Sequence, residues 1–303
     1  MTQLLAAPGS LLRTGAAGGR SVGPATTPAT RSTGRRPSRH TRAASTAVST
    51  VCPELAVLAN CDVVSVARGA SITAASLVSH SQKTLLLFLT HAADFDSFEL
   101  AGKLLDRLDA LQALSVSVAC VLLASPTAAA AFAGHTRLPV SLLYADERGA
   151  CYSALGFSPG AGRPGGEAPW LSGAGGFAKL MAMCAGIGSP GTLREVIRGY
   201  TGDRSAPEVF AEGTAADDPS LRKAFAVLGI GYQRPFELAT ARGKNMLTVL
   251  GDWKTLAPAD PEMLVQRGGA LLFVDGAVAW RHDDEGILRY ANLDDAIAAC
   301  RSA

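Results

Sequence analysis

Thr84–Leu114, TLLLFLTHAADFDSFELAGKLLDRLDALQAL, sets the architecture. Its opening is a continuous apolar run, the pattern of a central strand covered on both faces. A short turn follows, holding Asp94, Phe95, Asp96 and Ser97. Beyond it Leu100, Leu104, Leu108 and Leu111, with Ala101 and Leu105 alongside, predict one amphipathic helix with a single buried face. Asp and Ser are favoured helix N-caps, and Asp96 followed by Glu99 three residues on predicts something close to a capping box.

Further along the chain, SVSVACVLLAS (115–125) reads as a second central strand. Pro126 opens the next helix, and Gly134 is expected to stop it. VSLLYAD (140–146) reads as a third strand, and ERGACYSALGF (147–157) as a short helix ended at Gly156. Upstream, DVVSV (62–66) is a short strand. Near the C-terminus, GALLFVDGAVAWRH (269–282) is a hairpin turning at Asp275-Gly276. NLDDAIAACRS closes the chain as a helix capped by Asn292, with Asp295 at its third position. This order predicts an α/β fold, a thioredoxin-like three-layer sandwich with a mixed central sheet.

Residues 158–232 interrupt it as a partly helical insert. Its opening, SPGAGRPGGEAPWLSGAGG (158–176), reads as a flexible surface loop. FAKLMAMCAGIGSPGTLREVIRGYTGD (177–203) and DDPSLRKAFAVLGIGYQRP (217–235) have helical apolar spacing and are expected to cap the sheet edge. Pro235–Thr255 reads as a long helix weakened at Gly243. Two G-x-G-x-x-G strings occur, Gly160-Gly162-Gly165 and Gly186-Gly188-Gly191. The first follows no strand. The second opens a helix at Thr192, with Glu195 completing a capping box, but the segment before it reads as helix. A dinucleotide fingerprint needs a preceding strand, so nucleotide binding is not expected.

The net charge of +2 averages two unlike parts. Residues 1–49 carry seven arginines and no Asp, Glu or Lys; the first acid is Glu54. Without those seven, the 28 basic residues fall to 21 against 26 acidic ones, a net of −5. The body at 50–303 is therefore mildly acidic, which argues against a nucleic-acid partner. An Arg-rich, hydroxyl-rich, acid-free leader has the composition of an organellar transit peptide. RSTGRRPSRHTRAAS resembles a green-lineage chloroplast presequence, with cleavage expected near Ala43–Ser49; the mitochondrion is the alternative destination. No run reaches the roughly 18 apolar residues that a membrane span needs. The six cysteines (52, 61, 120, 151, 184 and 300) form no CxxC pair and no zinc-like spacing with histidine. They read as free thiols used as small apolar residues in a reducing compartment, and no metal or cofactor is expected.

Two further blocks carry a family resemblance. LPVSLLYADERGACYSALGF (138–157) and QRGGALLFVDGAVAWRHDDEGI (266–287) resemble peroxiredoxin-like proteins of the AhpC/TSA type, a branch of the thioredoxin-like superfamily. LDDAIAAC (293–300) resembles that group's closing helix, and GSPGTLREVIRGYTGD and GYQRPFELAT resemble segments of its plant and algal members. The resemblance implies an active turn of the form RHFGCPFC after the first central strand. Laid on this chain, it puts Thr90 at the Arg, His91 at the His, Asp94 at the first Cys and Ser97 at the second.

Oxygen-bearing side chains cannot do the work of that turn. A peroxidatic thiolate attacks an O–O bond and cycles through a sulfenic acid; an aspartate has no such cycle, and a Ser97 hydroxyl needs a base. His91 is expected to bond the turn backbone or an Asp carboxylate. Cys151, near Arg148, and Cys184, in the insert, are the candidate displaced thiols; Cys120 is expected to be buried and inert. The expected role is a non-catalytic binding or regulatory protein with a stromal protein partner. The alternative is a thiol-dependent antioxidant oxidoreductase using a displaced cysteine.

Overall fold

The apolar run at Thr84 becomes β3, Lys83–His91, in the middle of a seven-stranded mixed sheet of order β2-β1-β5-β4-β3-β6-β7. The protein is seen here in a computed structural model that describes residues 52–78, 83–206 and 231–303, with 223, 227 and 229. The leader lies outside those residues, and so does most of 217–235. Ser49–Ala303 forms one compact unit. Its strands are β1 (Asp62–Ser65), β2 (Ser71–Thr73), β3, β4 (Val116–Leu123), β5 (Leu143–Ala145), β6 (Gly269–Val274) and β7 (Ala277–Asp283). Its helices are α1 (Pro53–Leu58), α2 (Phe95–Leu105), α3 (Leu108–Ala113), α4 (Pro126–Thr136), α5 (Ala150–Ala154), α6 (Gly176–Cys184), α7 (Thr192–Thr201), α8 (Glu237–Gly251), α9 (Trp253–Leu256) and α10 (Leu293–Ser302). β3, β4 and β5 run parallel, and β1 and β6 join them antiparallel.

Strand periodicity divides the core in two. Leu85, Leu87 and Leu89 join Cys120, Leu122 and Leu272 under α2, α4 and α10. Leu86 and Phe88 join Val121, Leu123, Leu271 and Phe273 under α1 and α5. Helices thus cover both faces, the three-layer thioredoxin-like arrangement.

The β3–β4 register slips between Leu89 and His91. The Leu89 carbonyl there accepts from the buried Tyr152 hydroxyl, which also reaches the Val121 carbonyl at 3.0 Å. Tyr152→Phe is expected to lower stability by about 1–3 kcal/mol, the usual cost of stranding a buried acceptor. Urea unfolding checks this; an unchanged midpoint contradicts it.

Several local expectations are corrected. The helix after the turn is two, because the chain breaks at Asp106–Arg107, where Arg107 turns to pair with Asp294 at 2.8 Å. Gly134 does not stop α4: the helix runs to Thr136, whose hydroxyl donates to the Phe132 carbonyl and accepts from Leu138 N–H. The third strand is shorter, since Val140–Leu142 is a 3-10 turn. The Gly-rich opening of the insert is packed down at its start, Gly160–Gly162, and lies at the surface beyond it. Ala161 is fully buried, and Gly160 lies so close to Val265 that an added Cβ would stand 2.0 Å from its carbonyl oxygen. α7 has no capping box: its N-cap is Gly191, and Thr192 donates to the Ile287 carbonyl. The hairpin turns at Asp275 and Gly276, both at positive φ, and Asn292 caps α10.

The described part of the insert covers the turn. Ala161 and Met183 pack with Val265, Ile287 and Leu288 in a third cluster, and Phe95 and Cys184 lie against it. Phe95 is the first residue of α2, so the cluster closes over the turn after β3.

Candidate functional site

The end of β3 and the start of α2 build a small buried ionic cluster. Asp94 is the N-cap of α2, and its Oδ1 accepts from Asp96 N–H at 3.0 Å. A carboxylate here satisfies an orphan amide and suits the positive end of the helix dipole. Arg267 comes from the residues just before β6, the antiparallel neighbour of β3. Gly268 permits its approach, because a Cβ there would stand 1.9 Å from the Phe88 carbonyl oxygen. Arg267 Nη2 donates to Asp94 Oδ2 at 2.9 Å and Nη1 to Asp96 Oδ2 at 3.2 Å, while Nε donates to the Val265 carbonyl. Leu288 N–H donates to Asp96 Oδ2 at 2.8 Å. Arg267 is 1% exposed, and Asp94 and Asp96 are 3% exposed each.

One cation faces two carboxyls, so the two acids titrate apart. Burial opposes ionisation of Asp94, but the Arg267 charge together with hydrogen bonds from Asp96 N–H and the Thr90 side chain holds this carboxyl below its usual range. Burial and then the Asp94 charge push Asp96 well up. Asp96 Oδ2 already takes two donors and Oδ1 has no partner, so Oδ1 is the seat for the proton. The cluster then holds one negative and one positive charge, an arrangement that avoids an uncompensated buried ion.

His91 is fully buried beside it. Its Nε2 bonds the Leu264 carbonyl at 3.1 Å, neither the turn backbone nor an Asp carboxylate, and its Nδ1 has no partner. Burial lowers its pKa to about 4, so the ring is neutral and donates through Nε2. Ser97 shares a 2.7 Å hydrogen bond with Thr90 and has no base beside it. Glu99 does not reach back to a capping box. It joins Arg242 at 2.9 Å, Lys103 at 3.2 Å and the Tyr290 hydroxyl. Burial alone would raise Glu99, but the Lys103 and Arg242 charges bring it to about 2.

A family model described as "AhpC/TSA antioxidant enzyme" matches residues 103–286. The chain belongs to the AhpC/TSA antioxidant enzyme family. The matched span begins inside α2, after the turn. No curated protein matches the chain.

In this AhpC/TSA protein the candidate displaced thiols lie in different places. Cys151 is fully buried at the start of α5, and burial, then the Asp146 charge, raise its pKa strongly. Cys120 is buried in β4 and raised to about 12. Cys184, at the end of α6, lies within the field of the turn. Its pKa rises to about 11 through burial and then the Asp94 charge. Cys184 thus lies near the turn, packed like Phe95 against the third cluster, and Cys151 lies on the other face of the sheet. No group of three or more His, Cys, Asp or Glu among the described residues could hold a metal, and no described helix is long and apolar enough to cross a membrane.

Sequence reasoning misses Arg267, Arg242 and Tyr290. Arg267 stands in the QRGG block that carries the resemblance, beside the glycine that lets it in. An arginine next to an obligatory glycine is the only signal of an ionic partner for the turn.

Proposed function

We propose that this is a chloroplast-directed member of the AhpC/TSA family that has lost thiol peroxidase chemistry at its active turn and works as a non-catalytic binding or regulatory protein. The Arg-rich, acid-free leader supports the destination. The observation that carries the reading is the Asp94–Arg267–Asp96 cluster. In the resembled family a helix N-terminus and nearby cations stabilise a thiolate at this place. Here a carboxylate takes that electrostatic seat, with the N–H of Asp96 and the Arg267 guanidinium already bound to it. Nothing in the cluster can accept an oxygen atom from a peroxide and be reduced again.

A second reading rests on Cys184, the described cysteine near the cluster, as a displaced nucleophile. Its raised pKa works against it, because the thiolate is the reactive form. NADPH-coupled peroxide consumption, with thioredoxin or glutathione as reductant, separates the two. The first reading expects no turnover above the reductant alone. Turnover that disappears in Cys184→Ala would establish the second and remove the first.

A further inference from the structure

On the opposite face of the sheet from the turn, two thiols meet. Cys61 follows α1 and Cys151 is the second residue of α5, and these helices pack on each other. Both residues belong to the core cluster under Leu86 and Phe88, at 4% and 0% exposure. The two thiols interact with each other, and the Cys151 thiol also interacts with the Asp146 carboxylate. Asp146 is itself fixed, accepting from Ala150 N–H at 3.1 Å and Cys151 N–H at 2.8 Å. Cys61 Sγ donates to the Val57 carbonyl at 3.3 Å, on the side facing α1. The other sulfurs lie elsewhere: Cys52 against Glu54, Cys120 in β4, Cys184 beside the turn and Cys300 in α10.

We propose that Cys61 and Cys151 are a redox dithiol, which closes to an intramolecular disulfide by exchange with a small-molecule disulfide such as oxidised glutathione. Opening of the short helix α1 exposes Cys61. Its thiolate attacks one sulfur of the small disulfide, forming a mixed disulfide and releasing one thiol. Cys151 then attacks the Cys61 sulfur, and its proton leaves with the second thiol that is expelled. One disulfide is consumed, one is formed, and two thiols leave. The protein pair is oxidised and the small molecule reduced. The same burial that raises both thiols makes the exchange slow and tied to opening of α1. The bond formed would tie the N-terminal helix and β1 to α5.

Incubation of the reduced full chain with excess oxidised glutathione tests this, followed by acid quench, alkylation and non-reducing peptide mapping. The expected result is loss of two hydrogens, a cross-linked peptide pair containing Cys61 and Cys151, and a higher melting temperature than the reduced protein. Cys151→Ala should stop at a glutathione adduct on Cys61, and Cys61→Ala should form no cross-link. Circular dichroism confirms that both variants fold. No cross-link after a day, or one joining other cysteines, overturns the proposal.

Discussion

Arg267→Met is expected to lower stability by about 3–5 kcal/mol, the usual cost of removing one partner from a buried ion pair. For a compact unit of this size that is a fall in melting temperature of roughly 6–20 °C. The cause is specific. Without the guanidinium, Asp94 keeps its helix-capping bond to Asp96 N–H but has no counter-ion, and the fold must either bury a bare charge or protonate it. The triple variant Asp94→Asn, Asp96→Asn, Arg267→Met should recover more than half of the loss. Asn still caps the helix, and removing a whole buried ionic group is often near neutral. If Arg267→Met costs less than about 1 kcal/mol, or the triple variant is the less stable of the two, the cluster is not held by its ion pair.

The second large effect is acid destabilisation through His91. Its folded pKa of about 4 lies below the ordinary 6.5, so the folded protein resists a proton that the unfolded chain accepts. Its contribution is complete above pH 6.5 and is lost as pH falls toward 4. The loss between pH 7 and pH 5 comes to about 2 kcal/mol, since each tenfold difference in proton affinity is worth about 1.36 kcal/mol. Asp96, Asp106 and Asp284 are raised, Asp106 to about 6, and their contributions change in the opposite sense as pH falls. The quantity to measure is therefore the difference in unfolding free energy between the wild type and His91→Leu, which cancels them. That difference should shrink by about 2 kcal/mol from pH 7 to pH 5. A difference independent of pH would mean that His91 takes up its proton alike in the folded and unfolded chains. The contribution of Glu99, with its pKa near 2, is lost only below about pH 4.5, so the two windows separate.

Elements carried by local periodicity are legible in the sequence. The run at Leu85–Leu89, the Asp275-Gly276 hairpin and the Asn292 cap are each set by residues within a few positions of one another. The site is legible by half. Asp94 as a helix cap follows from its own neighbourhood, whereas its counter-ion lies 173 residues away and shows in no local pattern. The break at Asp106–Arg107 has the same origin, since it answers to Asp294 in α10. Spacing alone assigns Glu99 to a capping box, but its partners Arg242 and Tyr290 come from α8 and the approach to α10. The glycines of the insert suggest freedom. Three-dimensional packing uses Gly160 for close approach to Val265, and so turns a loop into the cover of the turn.

Loss of peroxidase chemistry at the turn stands or falls on the pre-steady-state reaction of the reduced protein with hydrogen peroxide, followed by competition kinetics and intact mass. With Asp94 and Ser97 in the turn and Cys184 beside it raised in pKa, the protein should react no faster than an unactivated cysteine, with no oxygen gained on the seconds timescale. A rate orders of magnitude above that, with a sulfenic acid appearing on any of the six cysteines, would contradict it.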